Sequence, residues 1–96
     1  MGTANPPFES LGTVLKRRRL QTGLSQWSLG LAVEMDASEI SRIESGWRNP
    51  HWSTLRRIAK GLEAPIADIA GEVERFEAEN AHRSPAPDND TASSEP

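Results

Sequence analysis

The chain has no cysteine and no tyrosine. Without cysteine there are no disulfides, thiolate metal sites or thiol nucleophiles, which suits a reducing compartment. The two histidines, His51 and His82, stand apart and have no partners at ligand spacing, so His51 reads as a cap or surface group and no metal site is expected. There is no glycine-rich phosphate loop and no nucleophile–base constellation, which makes an enzyme a poor reading; no catalytic residue and no cofactor are assigned. No apolar run approaches the ~18 residues that span a membrane. The stretch Met1–Pro7 lacks a basic region followed by an apolar one and is not read as a signal peptide. Hydrophobic residues make up only 35% of 96, which points to one small, compact, helical domain.

What is present is unevenly distributed. The net charge is −3, yet residues 1–60 carry nine basic and five acidic groups, whereas residues 61–96 carry two basic and nine acidic groups. A partner docking on one face responds to the local field rather than to the total. A basic run such as Lys16-Arg17-Arg18-Arg19, taken alone, is compatible with a solvated helix face.

Hydrophobic spacing predicts five helices. Apolar residues at 8, 11, 14, 15 and 20 give the first, ended by Thr22-Gly23 with Gly23 suited to a left-handed cap. Leu24 points inward. Ser25 caps a second helix over about Gln26–Val33, with Leu29 and Val33 inside and the small Gly30 between them. Asp36 or Ser38 caps a third helix, about 36–45, whose buried edge is Ile40 and Ile43 and whose end is Gly46. The segment Trp47-Arg48-Asn49-Pro50-His51 is a loop, because the residue before proline is steered away from helix. A fourth helix covers about Trp52–Leu62, with Trp52 expected in the core. Pro65 opens a fifth, striped by Ile66, Ile69, Ala70, Val73 and Phe76. The expected organisation is a disordered arm over 1–7, a domain over 8–80 and a disordered acidic tail over 81–96.

Residues 26–43 have the spacing by which two helices cross closely through a short turn: Gln26, Leu29, Gly30, Val33, Met35, Ile40, Ile43. By themselves these positions leave an ordinary helical hairpin as an equal alternative. With the flanking motifs, Leu11 to about Ile69 resembles the helix-turn-helix family of phage lambda repressor, Cro and the XRE-type bacterial regulators. The motifs are Leu11-Gly12, Gly23-Leu24-Ser25-Gln26, Ile40-Ser41-Arg42-Ile43-Glu44-Ser45-Gly46, Asn49-Pro50 and Leu55 to Leu62. The resemblance implies an all-α, five-helix, lambda-repressor-like domain that binds a double-stranded operator, usually as a dimer. It also implies a cytoplasmic protein, bacterial or phage-encoded, that joins the nucleoid when bound.

Roles carry over from the family by position. Ala37, Ser38 and Arg42 match residues facing base edges; arginine can pair bidentately with guanine and alanine can pack on a thymine methyl. Gln26 matches a glutamine that touches phosphate and braces the third helix. Ser45, Trp47, Arg48 and Asn49 match the backbone-following end and loop. Arg19 and Glu44 match an ion pair between the first and third helices. That leaves Lys16, Arg17 and Arg18 to attract phosphate, with Arg17 and Arg18 taken as contacts.

Some positions depart from the family. Glu34 stands at the turn position usually held by glycine. Glu39 lies on the reading helix, where it is expected to be solvent-exposed; the other readings are a contact with a cytosine amino group or repulsion of wrong sequences. Trp27 and Trp47 are expected to pack partly on aliphatic stems, with backbone or subunit contact the alternative for Trp47. The stripe of the fifth helix leaves two outcomes: packing into its own domain, or a two-fold interface through Val73 and Phe76. The competing function is a protein-interaction module or antitoxin, with the acidic fifth helix and tail as its surface.

Overall fold

The structure is a computed structural model and describes residues 5–81. Five helices follow in order: α1 (Glu9–Gln21), α2 (Gln26–Val33), α3 (Ala37–Glu44), α4 (Trp52–Gly61) and α5 (Ile66–Asn80). There is no strand among the described residues. The expected arm over 1–7 and tail over 81–96 fall largely outside them.

Local chemistry sets the helix ends. Ser25 Oγ accepts the Ser28 N–H at 2.9 Å and starts α2 as expected. Asp36 occupies the position before α3 in extended geometry, but its side chain makes no capping bond, and Ser38 lies within the helix. Gly23 (φ +79°) and Gly46 (φ +87°) leave α1 and α3 through left-handed backbone. Glu34 (φ +62°) does the same after α2 without being glycine, and Glu63 (φ +55°) repeats this after α4. The departure noted at Glu34 is therefore a strained turn, costing about 1–2 kcal/mol.

α1 packs on α3 and α5, while α2 packs on α3 and α4. The shared core contains Val14, Leu15, Leu29, Val33, Ile40, Ile43, Ile58, Ala59, Leu62, Ala64 and Ile69. Two glycines permit the close approaches that orient α3. A Cβ at Gly12 would lie 2.5 Å from the Glu44 carbonyl oxygen, so glycine lets the α1 backbone meet the end of α3. A Cβ at Gly30 would strike the carbonyl oxygen of Met35, so the α2–α3 turn closes only over glycine.

Three expectations about aromatic and apolar residues are corrected. Trp52 is not core but 62% exposed. Its position in the first turn of α4 tilts the side chain toward the helix N-terminus, past the end of the core. Trp27 is 66% exposed, and it projects from the outer side of α2 together with the equally exposed Leu31. Val73 and Phe76 pack against their own core and keep part of their surface exposed, whereas Ala70 faces solvent.

Candidate nucleic-acid interface

The outer side of α3 carries the residues matched to base contact. Ile40 and Ile43 are fully buried, so the helix turns Ser38 and Arg42 to solvent and leaves Ala37 half-buried at its start. Ser45, Trp47, Arg48 and Asn49 follow on one exposed segment. Ser45 Oγ donates to the Arg42 carbonyl at 2.9 Å, which tightens the last turn of the helix.

Behind this surface lies a charged network. Arg19 Nε and Nη2 donate to the two oxygens of Glu44 at 2.6 and 2.9 Å, a bidentate arrangement with both side chains buried. Arg19 Nη1 also donates to the Leu24 carbonyl at 2.8 Å. Gln26 Nε2 donates to Glu44 Oε1 at 3.0 Å. One carboxylate therefore ties α1, the entry to α2 and the end of α3 together, as the resemblance implied for Arg19 and Glu44. The hydrogen bonds from Arg19 to Glu44 outweigh desolvation and hold the guanidinium more firmly protonated than usual. A base raised in this way contributes its stability below its unfolded pKa and loses it only above the higher folded one, so this charge is fixed throughout the working range of a protein.

The basic run of α1 divides by rotation, since successive helical residues turn by about 100°. Arg19 points into the domain. Arg18 bonds Glu72 of α5 through Nε at 3.0 Å and through Nη2, and that hydrogen bond keeps it protonated. Arg17 sits over the Phe76 ring, 5.3 Å from its centroid. Both side chains thus turn toward α5 rather than toward α3, where phosphate contact was expected of them. Lys16 is the member of the run on the α3 side: it lines a shallow cleft of about 120 Å³ with Gln26, Ser41, Glu44 and Ser45. Periodicity contains this division, but the run has to be read residue by residue to find it.

Glu39 is not simply solvated. It is half-buried, with one carboxylate oxygen 3.5 Å from Arg42 Nη1 and the other 3.0 Å from Arg48 Nη1. Trp47 is 57% exposed, so the expectation of partial packing is met only in small part. A surface groove of about 610 Å³ runs along α4 past Arg56, Arg57 and Lys60 and shares no residue with α3. Among the described residues, no helix is long and apolar enough to cross a membrane.

Comparison with known proteins agrees with this geometry. Residues 10–70 match the family described as a helix-turn-helix domain. The control protein C.MunI of Mycoplasma sp is 32% identical over 65 residues, which is 67% of this chain and 88% of that protein. The crystal structure of the clp gene regulator ClgR from Corynebacterium glutamicum superposes with a TM-score of 0.77 at 25% identity, over 83% of this chain and 86% of that one. The restriction-modification controller protein C.Esp1396I superposes with a TM-score of 0.70 at 28% identity, over 75% and 94% of the two chains.

Proposed function

The chain belongs to the helix-turn-helix family, and on that premise we propose that it is a DNA-binding transcriptional regulator which reads an operator with α3 in the major groove. The observation that carries this reading is the Glu44 network. It fixes α3 against α1 and α2 while leaving Arg42 and Ser38 on the solvent side. Arg42, Ser38 and Ala37 then meet base edges, and arginine toward guanine is the strongest of these contacts. Gln26, Lys16, Ser45, Trp47, Arg48 and Asn49 follow the phosphate backbone and set register. Arg17 and Arg18 are left out of this proposal because their side chains turn toward Phe76 and Glu72 of α5.

Two copies on a two-fold operator would meet half-sites about 34 Å apart. The pairing surface we assign is the end of α5, where Val73 and Phe76 stay half-exposed. Sedimentation of a Phe76→Asp variant tests this; an unchanged mass excludes that surface. The place of action we assign is the bacterial cytoplasm, which fits a regulator that meets its operator in the nucleoid.

Selection of bound duplexes from a random library, followed by anisotropy titration at several salt concentrations, tests the main reading. Binding is expected to weaken steeply with salt, in proportion to the phosphates contacted. Folded protein that binds no duplex at any salt would refute it.

A further inference from the structure

Glu39 is an acidic group placed among the residues assigned to DNA, where a phosphate would repel it. Its two oxygens are shared between Arg42, one turn further along α3, and Arg48, in the loop after it. These are the residues assigned above to base and to phosphate. Arg42 and Arg48 keep about half of their side-chain surface exposed (56% and 47%), against 28% for Glu39. The carboxylate is therefore the least exposed member of the cluster.

Resting on the function proposed above, we infer that Glu39 is a specificity-determining residue that acts by holding Arg42 and Arg48 on one carboxylate. In free protein both guanidinium groups are held near one another over α3, which limits the rotamers they must lose on binding. A phosphate backbone offered by any sequence has to draw them from Glu39, and it leaves that carboxylate facing negative charge. The correct sequence restores the balance: a guanine takes Arg42 bidentately and so offsets the contact that Arg42 gives up on leaving Glu39. Specificity arises from a penalty on wrong sequences as well as from a gain on the right one. Exposed pairs of this kind are worth up to about 1 kcal/mol, or roughly fivefold in affinity, enough to matter without locking the surface.

The test uses the full chain, Glu39→Gln, and the same change in an Arg42→Ala/Arg48→Ala background, with circular dichroism to verify folding. The probes are a duplex enriched from a random library by the unaltered protein and a scrambled duplex of equal length. In Glu39→Gln, the scrambled duplex is expected to bind about fivefold tighter and the enriched duplex to gain less, so the ratio of the two falls. In the doubly substituted background, the effect of Glu39→Gln on that ratio is expected to disappear, because the residue acts through the two arginines. An equal shift on both duplexes, or a change in the ratio that persists without the arginines, overturns the inference while leaving DNA binding intact. Absence of binding by the unaltered protein overturns the proposed function itself, and this inference with it.

Discussion

Two glutamates five positions apart hold arginines on opposite sides of the same helix. Glu44 holds Arg19 in the interior, where the paired side chains are 7% and 4% exposed. Glu39 holds Arg42 and Arg48 at the surface, where the side chains are 28% to 56% exposed. The chemistry is the same, but the consequences are not. In the interior, removing one partner leaves an uncompensated charge that water cannot reach, so the pair determines whether α3 is held at all. At the surface, water and salt replace either partner at little cost, so the groups are available to exchange with a ligand. One helix thus carries a fixed ion pair on its inner side and an exchangeable cluster on its outer side.

The largest expected effect comes from breaking the inner pair. Glu44→Ala or Arg19→Ala is expected to destabilise the domain by about 3–5 kcal/mol, measured as a loss of unfolding midpoint in urea. Arg19→Lys is not expected to restore it, since an ammonium group cannot make the forked contact to Glu44 and also reach the Leu24 carbonyl. If Arg42→Ala costs as much stability as Arg19→Ala, the distinction between the two sides fails.

Arg42→Ala addresses the outer side directly. Stability is expected to change by less than about 0.5 kcal/mol, while preference for the selected duplex over a scrambled one falls by about 1–3 kcal/mol. Arg48→Ala is expected to weaken both duplexes alike and to lower the salt slope by about one unit, the signature of a phosphate contact. Lys16→Ala should behave like Arg48→Ala, and Arg18→Ala should leave the slope unchanged, because Glu72 already holds its guanidinium. A slope that falls in Arg18→Ala but not in Lys16→Ala would reverse the division of the basic run.

The fold and the outer site were not equally legible in the sequence. Helix ends were readable because short-range chemistry sets them: Ser25 before α2, glycine after α1 and α3, Pro65 before α5. The Arg19–Glu44 pair, 25 residues apart, was reachable only through family resemblance, since spacing says nothing about contact. The pairing of Arg18 with Glu72, 54 residues away, had no such guide and was missed. Trp52 was misplaced because hydrophobic periodicity identifies a face of a helix but not where along that face the core ends. The surroundings of Glu39, expected to be solvent, escaped the sequence for a related reason: its partner Arg48 lies in a loop, whose path no periodicity describes.

A third glutamate gives the comparison a baseline. Glu34 lies in the turn that leads into α3, is exposed, and makes no ion pair among the described residues. It also holds a left-handed conformation at φ +62°. Glycine there releases about 1–2 kcal/mol of backbone strain. Against that stands the greater freedom glycine gives the unfolded chain, about 0.5–1 kcal/mol. Glu34→Gly is therefore expected to raise stability by about 0.5–1 kcal/mol, read as a higher urea midpoint, with the preference between selected and scrambled duplexes unchanged. A loss of stability would mean that Glu34 has a favourable contact in solution, and the contrast between glutamates that hold a partner and one that holds none would have to be redrawn.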